Sequence, residues 1–412
     1  MNEFTLLILN FLLYFLTFLY TFKRNKNLSP YNFIWLLWTI CAFMGILYYY
    51  SDECYDYYKK GLTILPFVFI YICLIISTKP LKKAETKLID FKHHKFLEFY
   101  KFLIAIAAIL PFIEIVIHIS KGVNWAIIME AKNDLEMRQY YNARWFLSWF
   151  GARCLSVCTL NHLLTPILIF HSLIVRKTNK YILTGLILAE INCILINFLQ
   201  GGRYIAIQSG IIYCYLFFFF KNYLSGQTIK YVKLFSIGLL SILLSFITTI
   251  TIMRYGETSD YANRTVLGSL YQYSGESMIN FNQDMWYENT DISKNFSYRN
   301  FSEKVFGSKP QEINMTSRNY VYYTIFGELY LQFYLFLIPI LLFISIFLTY
   351  KIGCKKYLKL DSVIIIALYS YFITNGIFYN IYKNYWIELI ITIIFAIIVK
   401  QLRYPINIAR QQ

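Results

Sequence analysis

The sequence predicts an all-α polytopic membrane protein of about eleven transmembrane helices, with a large outer loop holding short amphipathic helices. Three observations predict it. The 412-residue chain is 58% hydrophobic and only 15% charged, against about 25% charged in an ordinary soluble domain. Runs such as 4–22, 234–253 and 363–379 contain no Asp, Glu, Lys or Arg, and each is long enough to cross a hydrocarbon core of about 30 Å. Basic residues alternate between successive connecting loops, as the positive-inside rule requires.

Taken in order, the predicted spans are 4–22, 31–50, 61–77, 99–118, 153–175, 181–199, 203–220, 233–253, 328–350, 361–379 and 385–401. The first run is followed by Lys23, Arg24 and Lys26. A cleavable leader would carry its charge ahead of the apolar core, so this run reads as a retained span. Basic residues in 79–95, 176–180, 221–233, 351–359 and 400–410 all fall on one side of the alternation. The opposite short loops, 51–60 and 380–384, hold only Lys59, Lys60 and Lys383, with Asp52, Glu53 and Asp56 beside them. The N-terminus is thereby expected outside and the C-terminus in the cytoplasm. The whole of 1–412 reads as a single integral membrane domain. Within it, 254–327 forms a large extracytoplasmic loop and 119–152 a second outer loop. Val266, Leu267, Leu270, Tyr271 and Ile279 recur at helical spacing in the large loop, which predicts short interfacial helices.

The net charge of +16 is largely accounted for by these cytoplasmic flanks. No Arg/Lys-rich soluble module accompanies it, so nucleic acid is not an expected partner. The basic stretch 79–95 suits contact with anionic membrane lipid. The eight cysteines fall mostly inside spans, and only Cys54 lies in an outer loop. No disulfide framework or zinc spacing is present. Cys154 and Cys158, one turn apart, read as packing residues.

Residues able to carry chemistry cluster at the predicted outer ends. Gln200-Gly201-Gly202-Arg203 joins two apolar helices. Its glycines permit positive φ and close backbone approach. The free amides of the next helix lie beside Arg203, an arrangement suited to a phosphate or diphosphate. A plain hairpin with a snorkelling arginine is the alternative. Arg254 follows the eighth span directly. The loop beyond it holds seven Lys/Arg and eight Asp/Glu between Arg254 and Arg318, so it is no simple cationic patch. Glu257, Glu276 and Glu328 are carboxylates placed where a general base could act, with ordinary solvation as the alternative for each. Glu328 and Gln332 lie one turn apart at the mouth of the ninth span. Inside the bilayer, Glu114 and His118 are four apart in one span, and Asn161, His162, His171 and Glu190 lie in the next two. Glu114–His118 reads either as a proton relay or as a packing pair near the outer surface. No metal site and no cofactor is expected.

Three places carry a family resemblance: Gly201-Gly202-Arg203, the stretch Tyr271…Gly275…Phe281-Asn282, and Thr316…Phe326-Gly327-Glu328…Phe333. With the span pattern, they make the chain resemble the bacterial oligosaccharide repeat-unit polymerases, the Wzy-type O-antigen and capsule polymerases. In the last motif the family often has glycine after the phenylalanine, where this chain has Tyr334. The resemblance implies a metal-independent membrane glycosyltransferase of the GT-C type in the bacterial inner membrane. Such an enzyme joins repeat units carried on undecaprenyl diphosphate at the outer face into O-antigen or capsular polysaccharide, a lipopolysaccharide or capsule component. It implies a lipid-linked oligosaccharide as partner, and it leaves room for a chain-length regulator. Arg203 and Arg254 would hold the diphosphate with Gly201 and Gly202, helped by Arg318 and Arg138. Glu276, Glu328 or Glu257 would be the base. Two other readings stay open. One is a ligase that passes finished glycan to another acceptor. The other is a flippase for lipid-linked oligosaccharide.

Overall fold

A computed structural model describes residues 2–51, 61–123, 146–175, 178–200, 202, 204–234, 266–286, 323–378 and 385–402, with scattered positions between 236 and 248. It is mostly helical, with almost no sheet. Eight of the described helices are long and apolar enough to cross a membrane, or nine if one bent pair is a single span. Two predicted spans account for most of the shortfall from eleven. Most of 233–253 lies outside the described residues, and the last helix, Trp386–Gln401, has only 16 residues.

The chain packs as two compact units. The first comprises Met1–Lys87, Asn263–Lys356 and Tyr369–Tyr385. The second comprises Leu88–Ala262, Tyr357–Leu368 and Trp386–Gln412.

The first unit contains α1 (Glu3–Asn25), α2 (Pro30–Tyr49) and α3 (Ile64–Glu85). Each begins where the sequence predicts. Asn2 and Ser29 accept amides at the starts of α1 and α2, and Pro30 occupies the first turn of α2, where its missing N–H costs nothing. Two aromatic clusters fill the interior. Tyr14 lies 6.1 Å from Trp38 and edge-on to Tyr71 at 5.5 Å. Phe281 meets Trp286 and Tyr330 at 5.9 and 5.5 Å. Lipid-facing surface is recognisable by its exposed bulk: Phe343 is 73% and Ile346 60% exposed, as a helix against acyl chains should be.

The second unit contains the two-stranded parallel bridge of Leu88–Asp90 (β1) with Tyr357–Lys359 (β2). Its helices are, in chain order, α4 (Lys95–Ala107), α5 (Ile109–Ser120), α6 (Trp149–Leu160), α7 (Thr165–Val175), α8 (Lys180–Leu199) and α9 (Tyr204–Phe220). The remaining helices of the chain follow. The first unit takes α10 (Val266–Asn280), α11 (Ile325–Phe333) and α12 (Leu337–Gly353). Helix α13 (Leu360–Thr374) begins in the second unit's segment and ends in the first's, and α14 (Trp386–Gln401) belongs to the second.

Loops that the charge alternation assigns to one side meet within each unit. In the first, the Tyr31 amide donates to Glu85, and the Lys87 ammonium donates to the Gly353 and Lys355 carbonyls at 2.9 and 2.6 Å. Thr63 and Asn282, both assigned to the opposite side, bond each other. In the second, β1 pairs β2, and the Tyr223 hydroxyl accepts the Ile89 amide at 2.9 Å.

Three expectations change. Span five is not straight: α6 and α7 meet at a 75° bend. Pro166 explains it. It has no amide for the His162 carbonyl four residues earlier, and its ring crowds that carbonyl. The Asn161 carbonyl takes the Thr165 amide at 2.8 Å and its hydroxyl at 2.9 Å instead. Span nine does not begin at residue 328. Glu328 belongs to α11, which ends at Phe333 and is followed by its C-cap Tyr334, a residue with φ of 50°. Finally, α10 is helical over the stretch where apolar spacing predicts it, but it is buried from Gly275 to Asn280 rather than interfacial.

Candidate functional site

Helix α10 and the turn that follows it carry a run of buried polar side chains. Glu276, Ser277, Asn280, Asn282 and Gln283 are all buried, with Glu276 at 7% exposed. The sequence reading puts Glu276 on a water-exposed loop; packing against α2 removes it from water. That packing requires glycine. A Cβ on Gly275 would lie 2.5 Å from the Met44 carbonyl and from the Gly45 amide nitrogen. Gly45 in turn faces the Gly275 carbonyl. The backbones therefore touch through two small residues, as membrane helices do where association depends on close contact.

Hydrogen bonds then fix the polar side chains. The Asn280 amide donates to Glu276 Oε1 at 3.0 Å. The helix widens into a π-helical turn over Phe281–Met285, a geometry found frequently at functional sites. Asn282 in this turn is fully buried and clamps the start of α3. It donates to the Thr63 carbonyl at 2.6 Å and accepts the Thr63 amide at 3.0 Å. Ser277 donates to the Ile377 carbonyl at 2.5 Å. From α1, Asn10 Nδ2 reaches the Met278 sulfur at 3.9 Å.

Glu328 sits in the first turn of α11, half-buried, its amide bonded to the Thr324 carbonyl at 2.9 Å. Thr324 caps this helix by accepting the Gly327 amide at 3.1 Å. Gly327 is small because the Phe281 ring lies where its Cβ would be, 2.8 Å away. Phe326 packs on Trp38 with ring centroids 5.6 Å apart. The motif residues Gly275, Phe281, Asn282, Phe326 and Gly327 thus hold one core together around Glu276, and Glu328 opens a helix beside them.

In the second unit, Gly202 is described while Gly201 and Arg203 lie outside the described residues. Gly202 does not adopt positive φ; its need is space. The Asn197 side chain occupies the position of its missing Cβ, at 2.4 Å. The Gly202 amide donates to the Asn197 carbonyl at 2.8 Å, and Asn197 Oδ1 accepts the Ile205 amide at 3.3 Å. One of the helix-start amides expected to meet an anion is therefore taken by Asn197. Arg138, Arg254, Arg318 and Glu257 also lie outside the described residues.

Glu114 and His118 go separate ways. The Glu114 carboxylate lies over Gly151 at the start of α6 and accepts the Ser148 amide at 3.2 Å, where the helix dipole favours negative charge. His118 stacks flat on Phe146 at 4.0 Å. Two buried ionic groups of the second unit are not paired by the sequence reading. Lys101, fully buried, donates to Glu98 at 2.8 Å and to Thr178 at 3.1 Å, and lies 3.1 Å from His171 Nδ1. His162 Nδ1 stands 3.2 Å from Glu190 Oε2. The signal for the second pair was present: ionisable residues at matching depth in successive spans. Among the described residues no group of three or more His, Cys, Asp or Glu is placed to hold a metal.

No protein-family model matches the chain, no curated protein matches it in sequence, and no solved structure matches it in fold.

Proposed function

We propose that this protein is a membrane glycosyltransferase that polymerises undecaprenyl-diphosphate-linked oligosaccharide repeat units into a surface polysaccharide. One observation carries the reading: Glu276, in the stretch on which the family resemblance rests, is a buried carboxylate held by Asn280 on a helix locked by glycine contact. A general base needs such fixed placement. Tyr334 adds support. The resembled family often has glycine there, and this chain's backbone takes the positive φ that favours glycine.

In the proposed reaction Glu276 takes the proton of the acceptor hydroxyl. The hydroxyl oxygen bonds to the anomeric carbon of the donor glycan. The bond from that carbon to the diphosphate oxygen breaks, and its electron pair leaves on undecaprenyl diphosphate. Arginines would stabilise the leaving charge without a metal. Arg203 and Arg254 are the proposed ligands, with Arg318 and Arg138 as helpers. Glu328 is the second candidate for the base and Glu257 the third. The proposal places the reaction at the outer face of a bacterial cytoplasmic membrane.

Purified protein incubated with lipid-linked repeat units alone tests the reading. Polymer ladders should form, and Glu276→Gln should reduce their rate by about 100-fold or more while leaving the protein monodisperse. Repeat units that stay covalently unchanged would reject it. A requirement for a second acceptor would instead indicate the ligase reaction. One observation favours a transporter as the second reading. The 75° bend between α6 and α7 makes a discontinuous span of the sort on which transporters build midplane sites.

A further inference from the structure

The ends of four helices of the first unit meet at one place, and among the described residues their exposed charges are all positive. Asn32 Nδ2, near the start of α2, donates to the Asn27 carbonyl in the loop after α1 at 3.1 Å. The Tyr31 amide, in the first turn of α2, donates to Glu85 at the end of α3. The Lys87 ammonium, just past α3, reaches the Gly353 and Lys355 carbonyls at the end of α12. Exposed around this junction stand Lys23, Arg24 and Lys26 at the end of α1, Lys82 and Lys83 on α3, and Lys351 on α12. Glu85 is the one carboxylate at this end among the described residues of the first unit, and it is turned inward to the Tyr31 amide.

The sequence alone points to the continuous stretch 79–95 for lipid contact, and the fold redraws that surface. Lys87 is spent on backbone carbonyls, and Lys92 is paired with Asp90 at 3.1 Å. The ends of α1 and α12 supply cations instead, so the cluster is made by packing segments that are far apart in the chain. Its height is marked by aromatic residues. Tyr20 on α1 is 67% exposed and Tyr350 on α12 is 66% exposed. Each lies within one turn of a cation, and exposed tyrosine at a span end belongs at the level of lipid headgroups. Lys351 Nζ lies 5.5 Å over the Phe347 ring and Lys82 Nζ 5.4 Å over the Tyr31 ring. These ammonium groups fold back on rings beside the bilayer rather than reaching away from it.

We propose that this end of the first unit binds the headgroups of anionic phospholipids. Lys82, Lys83 and Lys351 meet the phosphate oxygens, and Lys23, Arg24 and Lys26 extend the positive surface along α1. Clustered cations directly beside a span attract anionic lipid in this way. A soluble acidic partner fits less well. Cations placed to meet one would project on loops into water, whereas these stand on the last turns of spans beside exposed rings. The surface is independent of the glycan reading and involves neither Glu276 nor the arginines assigned to diphosphate.

Native mass spectrometry of the full chain, released from micelles holding equal amounts of phosphatidylglycerol and phosphatidylcholine, tests this. Phosphatidylglycerol should be retained in preference by about 10-fold or more. Glutamine at Lys82, Lys83 and Lys351 together should bring the ratio close to one, and arginine at the same three positions should keep it. Should the triple glutamine variant not fold, Lys351→Glu alone must lower the ratio. Glutamine at Lys121, Arg153 and Lys180, three exposed cations of the second unit, should leave the ratio unchanged. Equal retention of the two lipids by the natural chain would overturn the proposal. So would a preference that survives loss of the three lysines, or one that falls equally in the second-unit variant, which would make it an effect of net charge alone.

Discussion

The two units bury their carboxylates in opposite ways. Glu276 sits on a helix closed against its neighbour by glycine backbone contact, and Asn280 holds one of its oxygens. Around it Asn282 and Ser277 spend their polar atoms on backbone groups of distant segments. Glu190 sits beside a broken helix, with His162 Nδ1 3.2 Å from its Oε2. The first arrangement fixes a geometry, as a base that must point at one hydroxyl requires. The second sets two ionisable groups against each other across neighbouring helices. Buried polar networks rigidify and specify a core when satisfied, and an unpaired buried polar group is costly.

The most forceful way to break the first arrangement is Gly275→Ala. Its methyl would enter the Met44–Gly45 backbone, which cannot yield as a side chain would. We expect a loss of about 3 kcal/mol, read as a large fall in thermal midpoint by fluorescence-detected size exclusion. An unchanged midpoint would mean that α2 and α10 do not touch. In the second arrangement, His162→Ala strips Glu190 of its counter-charge and should cost about 3 kcal/mol at neutral pH. Adding Glu190→Gln should recover most of that loss, and strict additivity of the two changes would deny the coupling. Asn282→Ala frees both polar groups of Thr63 and should cost about 2 kcal/mol. The same variant should speed hydrogen exchange at the first turn of α3 while the second unit's amides stay unaffected.

The smallest effect runs in the other direction. Tyr334→Gly relieves a non-glycine residue of positive φ, at the expense of the ring contact with Tyr330 at 5.7 Å. A net gain of about 1 kcal/mol is expected from the relief of strain. A Tm below that of the natural chain would show that the tyrosine ring matters more than the backbone.

The spans were legible because each is a local run of apolar residues, and most begin within a few residues of where hydropathy puts them. The break in span five was missed, although Pro166 removes a specific amide and was the signal that could have shown it. The burial of α10 was not. Glu276, Ser277 and Asn280 look like a surface in sequence, yet their helix docks through Gly275 on Gly45 of α2, a helix far away in the chain. Asn197 escaped notice for the same reason, and Asn282 entered only as part of a motif. Their partners are backbone groups, which every residue has and no motif advertises. Of the two properties the sequence allowed at Gly202, positive φ and close approach, the structure uses close approach, with Asn197 filling the space.

The division of the first unit between Met1–Lys87 and the segments after Asn263 has a consequence for biogenesis. A ribosome working at about 5–20 residues per second needs tens of seconds, at the slower end, to pass from one segment to the next. During that interval α1, α2 and α3 wait in the bilayer with the Gly45 groove and Asn10 uncovered. Helix α10, arriving with its carboxylate and amides, is a poor candidate for lipid insertion alone and gains its place by docking on a partner already there. Insertion of this chain is therefore expected to depend on whatever shelters a half-built helical bundle while its middle is being translated.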